Sequence, residues 1–111
     1  MEMHAKVWLT HDGKMVISRG RAQLLEAVET TGSISAAARE LDMSYRHAWS
    51  MLRASEKHLD RPLLEKSKGG ARGGGARLTP DGHRLLKQYR EIEARFEALK
   101  AETERDIRMD P

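Results

Sequence analysis

The sequence predicts a mainly α-helical domain with small β elements, on three observations. Apolar residues recur at helical spacing in four separate stretches, and Ser33, Ser44 and Thr79 stand where three of those helices would begin. Two pairs of short β-prone runs each bracket a turn signal, one built on Asp12-Gly13 and the other on a run of glycines. With 111 residues, 39% of them hydrophobic and 33% charged, the chain has apolar material for a single modest core.

Residues 6–10 and 14–17 read as strands. His11-Asp12-Gly13 between them signals a hairpin, because Asp and Gly both accept the positive φ of a tight turn. Such a hairpin is marginal alone and must lie against helices. The stretch RGRAQLLEAVETTG places Leu24, Leu25, Ala27 and Val28 on one helical face and ends in Gly32, which suits a left-handed cap. Ser33 caps ISAAARELD, in which Ile34, Ala37, Ala38 and Leu41 share a face. Asp42-Met43 interrupts the pattern. Ser44 then caps a third helix, YRHAWSMLRASEKHL, with Ala48, Met51, Leu52 and Ser55 facing inward. After Asp60-Arg61-Pro62, residues 63–66 form a strand and residues 76–78 return antiparallel to it. Thr79 caps the last helix, and Pro80 takes its first position, where the missing N–H costs nothing. That helix runs to about residue 106, and along it Leu85, Tyr89, Ile92, Phe96 and Leu99 step alternately by four and three residues, a heptad seam. The organisation expected is residues 1–79 as the hairpin, three helices and second strand pair, and residues 80–111 as a long helix and tail.

Composition removes several classes of function. There is no cysteine, hence no disulfide, thiolate metal site or cysteine nucleophile. His4, His11, His47, His58 and His83 show no ligand-like spacing and no accompanying carboxylate cluster, so no metal is expected. No serine lies in a nucleophile-elbow pattern, and the glycine stretch lacks the Lys-Ser/Thr ending of a phosphate-binding loop. An enzyme is therefore not expected, nor a cofactor. No apolar run approaches the ~20 residues of a membrane span, and MEMHAKVWLT lacks the basic-then-apolar order of a signal peptide, so a cytoplasmic, non-membrane location is expected. The net charge of +3 is unevenly spread: residues 43–79 carry eight Lys/Arg against three acids, whereas residues 80–111 carry seven against eight. A cationic patch beside a balanced remainder fits a polyanion touching one face, and charge alone fits a solvated surface equally well.

The segment from Ile34 to Arg53 has the requirements of a helix-turn-helix. Ala38 is small where two helices must cross closely, Met43 closes the turn, and Ala48 and Met51 lie on the buried side of the second helix. Asp42 stands where Gly is common and tolerates left-handed geometry better than most residues. The stretches GSISAAARELDMSYRHAWSMLRASEKHL and RPLLEKSKGGARGGGARLTPDG resemble the winged-helix DNA-binding domain of LysR-type regulators. More closely, the chain resembles the N-terminal domain of the ModE molybdate-responsive regulators, through the preceding hairpin, Ser44-Tyr45 with Ala48-Trp49, and the glycine-rich wing running into Leu78-Thr79. The resemblance covers roughly residues 5–100. It implies a winged helix-turn-helix with an N-terminal hairpin and a long C-terminal dimerisation helix, acting as a sequence-specific transcriptional regulator on double-stranded DNA. Because this sequence stops at Pro111, where those families continue into an effector-binding region, it implies DNA binding and not molybdate binding.

The residues expected to meet DNA are Ser44, Tyr45, Arg46, His47, Ser50 and Arg53 on the third helix, and Lys68, Arg72 and Arg77 in the wing. Glycine lets the wing backbone approach phosphates, and its cations pair with them. Ser44 serves equally as a helix cap. His47 is open between base, phosphate and solvent. Arg53 and Lys57 are open between phosphate and solvent. Trp49 is expected to pack against the wing or the last helix. Tyr89, Ile92, Phe96 and Leu99 are the expected dimer seam, with Leu85 and Tyr89 also within reach of the domain's own core. A two-fold homodimer implies an inverted-repeat operator. Two alternatives stay open, an adaptor that keeps the fold without binding DNA and an oxyanion-responsive sensor using the wing; the main reading also leaves room for a separate effector-sensing partner.

Overall fold

In the computed structural model, which describes residues 1–68 and 74–109, Asp12 and Gly13 adopt φ of +51° and +77°. These left-handed values make the two-residue turn that joins β1 (Leu9–His11) to β2 (Lys14–Ile17). The pairing is antiparallel, with His11 opposite Lys14 and Thr10 opposite Met15, and it slips at Leu9, which faces Ile17. β1 is shorter than residues 6–10 because β2 can offer no further partner. Ser18 already caps the next helix, its hydroxyl accepting from the Arg21 N–H. Residues before Leu9 are tied elsewhere: the Val7 carbonyl accepts from the Tyr89 hydroxyl at 2.7 Å, and the Met3 N–H donates to Glu104 at 3.1 Å.

Three helices follow: α1 (Arg19–Thr31), α2 (Ile34–Glu40) and α3 (Tyr45–Leu59). Gly32 ends α1 at φ +82°, and the hydroxyls of Ser33 and Ser44 cap α2 and α3 by accepting from the N–H of Ala36 and His47. Both α2 and α3 end on a left-handed aspartate, Asp42 at φ +56° and Asp60 at φ +57°. In each case two backbone bonds fold the chain back: Asp42 to Arg39 and Met43 to Ala38, then Asp60 to Lys57 and Arg61 to Glu56. These are Schellman closures made without glycine, and the first is the turn of the helix-turn-helix.

The strands β3 (Leu64–Ser67) and β4 (Gly75–Leu78) pair antiparallel, with Leu64 opposite Leu78 and Ser67 opposite Gly75. This wing is fastened at its base. The Ala76 N–H donates to the Gly32 carbonyl at 2.8 Å, and the Leu78 N–H donates to the Glu29 carboxylate at 3.2 Å. One core joins the parts, formed by Val16, Ile17, Leu24, Leu25, Val28, Leu52, Leu63, Leu78, Leu85 and Tyr89 with the five alanines Ala22, Ala27, Ala37, Ala38 and Ala48. The alanines lie on the buried faces of α1, α2 and α3, where their small size permits close approach. The fold is a winged helix-turn-helix.

α4 (Pro80–Asp106) starts in this core and leaves it. Its buried residues, Gly82, Leu85 and Tyr89, all lie in its first ten positions, and the molecule measures 65 × 30 × 22 Å because the rest projects. Tyr89, expected in the seam between copies, is only 1% exposed and belongs to the chain's own core. The exposed part of the seam is Phe96 at 39% and Leu99 at 49%, with Ile92 half-buried. Beside Tyr89, Arg90 bonds both Glu26 and Glu93. Burial alone would lower the Arg90 pKa, but the two carboxylates outweigh it and raise the value.

Gly82 is the tightest point. A Cβ there would lie 2.3 Å from the Leu63 carbonyl oxygen and 3.3 Å from the Leu78 Cβ. Because the nearest atom is backbone, relief requires the start of α4 to move off the wing. Gly82→Ala is therefore expected to destabilise the fold by about 1–3 kcal/mol. Thermal unfolding followed by circular dichroism measures this, and an unchanged melting temperature would contradict the packing described.

Candidate nucleic-acid interface

α3 buries Ala48, Leu52 and Ser55, which turns its opposite face outward. At about 100° per residue, that face carries Arg46, Ser50, Arg53 and Lys57, spaced by four, three and four residues and all exposed. Three cations and a hydroxyl thus form one stripe along the second helix of the helix-turn-helix. Its inner side is held to α1 and to the hairpin: Arg21 on α1 donates to the Ser55 hydroxyl at 2.8 Å, and His58 Nδ1 lies 2.7 Å from the Met15 carbonyl in β2. Burial lowers the Arg21 pKa, and the hydroxyl satisfies the guanidinium in its half-buried setting.

The expected site residues divide by flank. Tyr45 and Arg53 lie toward the wing, sharing a cleft with its residues, while Arg46, His47 and Ser50 lie outside that cleft and are exposed. Ser44 is the helix cap, accepting from His47 N–H at 3.0 Å. Lys68 follows the end of β3 and is exposed. Arg77 is exposed on β4 and paired with Glu65 across the hairpin at 3.0 Å. Arg72 lies outside the described residues.

Trp49 differs from expectation. It faces the wing but not the last helix, and it is 44% exposed rather than packed away. Position 49 lies about 100° from the buried Ala48, at the border between inner and outer faces. Its ring forms one wall of a cleft of about 440 Å³ whose other wall is the wing, with Ile34, Tyr45, Leu64, Lys66 and Ala76 also lining it. The Arg53 guanidinium sits 5.2 Å from the Trp49 ring centroid and 3.2 Å from the Glu56 carboxylate.

Glu56 was not singled out by sequence reasoning. Its other oxygen accepts from the N–H groups of Leu63 and Leu64, at 2.8 and 3.2 Å, and so fastens the first wing strand to α3. The only sequence signal was its spacing of three residues from Arg53. Glu29 does the same for β4 and could not have been found locally, since its partner Leu78 is 49 residues away. Glu56→Ala should cost roughly 1.5–3 kcal/mol, the scale of hydrogen bonds to a charged group, with Glu56→Gln losing less because one carbonyl oxygen remains. Equal melting temperatures for wild type and Glu56→Ala would show that the wing is held by other contacts.

The same architecture recurs in known proteins. Residues 20–83 match the family model of the bacterial regulatory helix-turn-helix protein, lysR family. The chain is 44% identical over 91 residues to the molybdenum-pterin-binding protein MopB of Rhodobacter capsulatus, covering 82% of this chain and 34% of that protein. It is 35% identical over 89 residues to the DNA-binding transcriptional dual regulator ModE of Escherichia coli, covering 78% of this chain and 34% of the relative. The chain thus spans about a third of the length of the curated relatives it matches. Among solved structures, the CbnR DNA-binding domain in complex with DNA superposes with a TM-score of 0.66 at 26% identity, covering 83% of this chain and all (100%) of that one. The BenM DNA-binding domain on its benA site 1 DNA gives a TM-score of 0.62 at 21% identity over 82% of this chain and 100% of its own, a likeness of fold. A helix-turn-helix with a cationic outer face, a fastened wing and this family match leave one assignment: the chain belongs to the LysR family of bacterial regulatory helix-turn-helix proteins, with ModE and MopB among its relatives.

Proposed function

We propose that this chain is a sequence-specific, DNA-binding transcriptional regulator that acts as a two-fold dimer. The observation that carries the reading is the stripe of Arg46, Ser50, Arg53 and Lys57 on the outward face of α3, beside a wing that carries Lys68 and Arg77. Inserted in a major groove, α3 presents Arg46 and Ser50 to base edges, while Tyr45 on the wing side and the cations further along and in the wing meet the backbone. The wing cations Lys68, Arg72 and Arg77 supply affinity without sequence information. The molybdenum and pterin in the relatives' names belong to proteins more than twice as long and are not extended to residues 1–111.

The dimer reading rests on α4. Phe96 and Leu99 are exposed on a helix that projects beyond the core, and Ile92 continues their stripe. The chain's own segment before β1 runs along this helix, through Val7 and Met3, and borders Phe96, which with Leu99 stays partly exposed. Charges beside the seam set its direction. With Phe96 and Leu99 as core positions, parallel helices would set Arg95 against Lys100 of the partner subunit, a like-charge pair. Antiparallel helices set Arg95 against Glu102 of the partner subunit and Glu93 against Lys100 of the partner subunit, both attractive. We therefore place the two copies antiparallel along α4, with an inverted-repeat operator.

Binding is tested by gel shift with genomic fragments across a salt series. Arg46→Ala should cost about 1–3 kcal/mol on the selected site and much less on random duplex. Arg77→Ala should weaken both alike and make the log–log salt dependence shallower by up to ~0.9. Equal losses on both duplexes for Arg46→Ala would reduce that residue to a phosphate anchor. No salt-dependent shift for the wild type would remove the DNA-binding reading and favour an adaptor.

For the dimer, Phe96→Asp should give a monomer that keeps its helicity and binds DNA far more weakly, since each buried side chain of this class is worth ~1.5–3 kcal/mol. Sedimentation velocity settles the matter. A wild type that is monomeric at tens of micromolar, or a Phe96→Asp variant that stays dimeric, would rule the seam out.

A further inference from the structure

Arg53 is constrained from two sides, by the face of Trp49 at 5.2 Å and by Glu56 at 3.2 Å, and Glu56 is itself engaged with the wing through Leu63 and Leu64. Trp49 leaves a substantial part of its ring uncovered, on the side of the cleft between α3 and the wing. An exposed tryptophan that orients an arginine at the edge of an open, apolar-walled cleft has a use beyond stability, because none of the described residues fills the cleft.

We infer that this cleft seats one sugar–phosphate strand of the duplex, with Trp49 against a deoxyribose and Arg53 positioned by it on the adjoining phosphate. The inference rests on the DNA-binding reading and adds to it a residue that the expected site left out. Location argues for a strand. When α3 occupies a major groove and the wing lies over the neighbouring minor groove, the element that passes between them is the backbone dividing those grooves. Chemistry agrees with location. The walls are apolar or aromatic, from Ile34, Tyr45, Trp49, Leu64 and Ala76, as a sugar edge requires, and the cations Arg53 and Lys66 stand at them. The two carboxylates that also line the cleft, Glu56 and Glu65, are each engaged by a cation, Arg53 and Arg77 respectively, so neither is left free to repel a phosphate. Base edges lie on the far side of that strand, facing Arg46 and Ser50. Trp49 is accordingly a backbone anchor and a positioning residue for Arg53, with no part in reading sequence.

Anisotropy titrations on a duplex selected by the protein, and on an unrelated duplex of equal length, test this with wild type, Trp49→Ala, Trp49→Phe and Arg53→Ala. Trp49→Ala should weaken both duplexes by a similar factor, about tenfold, the scale of one lost charge-assisted hydrogen bond, while Trp49→Phe restores most of the affinity. A scan of single neutral methylphosphonates through the selected duplex should find a position that costs the wild type several-fold and costs Arg53→Ala and Trp49→Ala nothing further. Circular dichroism confirms that the variants fold, as expected for exposed side chains. A loss confined to the selected duplex would make Trp49 a base reader and overturn the inference. So would a scan in which every phosphate that matters to wild type matters equally to both alanine variants. Wild-type binding with either result leaves the DNA-binding reading standing. Absence of wild-type binding to both duplexes removes the two together.

Discussion

The backbone of Leu63 is the joint on which the parts of this domain depend. Its N–H donates to Glu56 on α3, and its carbonyl accepts the Thr79 N–H at the end of β4. The same carbonyl is the atom nearest the missing side chain of Gly82 at the start of α4. Thr79 completes the arrangement, its hydroxyl donating to the Pro62 carbonyl at 2.8 Å and accepting from Gly82 N–H at 3.0 Å. α3, both wing strands and α4 therefore meet at one residue's backbone. Buried backbone groups must find partners, and here satisfying them also sets the relative placement of three elements. A glycine-rich wing can precede a rigid helix because the wing's base, rather than its tip, carries this constraint.

How much of this was legible depended on whether the cause was local. The caps Ser33, Ser44 and Thr79, the Asp12-Gly13 turn and the left-handed Gly32 could be read because each is decided within four or five residues. The interruption at Asp42-Met43 could be read for the same reason, although its closure by an aspartate in left-handed geometry is a tertiary tolerance. The length of β1 was misjudged because it depends on where β2 ends, and β2 ends at Ser18 for the sake of α1. Tyr89 fits the heptad by spacing, yet it lies in the core, because the segment before β1 returns along α4 to accept its hydroxyl. Spacing cannot reveal which part of a long stripe a domain covers with its own chain.

The candidate interface shows the same division. Arg46, Ser50 and Arg53 could be placed on one face from helical periodicity alone, and the structure adds Lys57 to the same line. What periodicity could not supply was the environment of each cation. Sequence leaves Arg53 open between phosphate and solvent and points Arg77 at phosphate, yet each has a carboxylate partner, Glu56 and Glu65. Such exposed pairs are worth little to stability. Their consequence is orientation: a paired guanidinium has fewer places to go and loses less freedom when a phosphate arrives. The cationic surface of this domain is therefore partly arranged in advance.

The long helix turns local placement into long-range geometry. Its first turn is fixed at Leu63, and its exposed stripe at residues 92–99 begins some 15 Å further along at 1.5 Å per residue. Between them lie Tyr89, bonded to Val7, and Arg90, bonded to Glu26 and Glu93, so the segment is tied to the core until just before the stripe emerges. A helix held in this way transmits rotation without slack. In a two-fold pair, the angle between the stripe and the joint decides how the two α3 helices face the duplex. One residue inserted after Arg90 would turn the stripe by about 100° relative to the joint. Each half could then remain folded, but the two recognition helices would no longer present a matched pair. In the two-fold pair we propose, the separation of half-sites would follow from the phase of α4, which is anchored where Gly82 meets the Leu63 carbonyl.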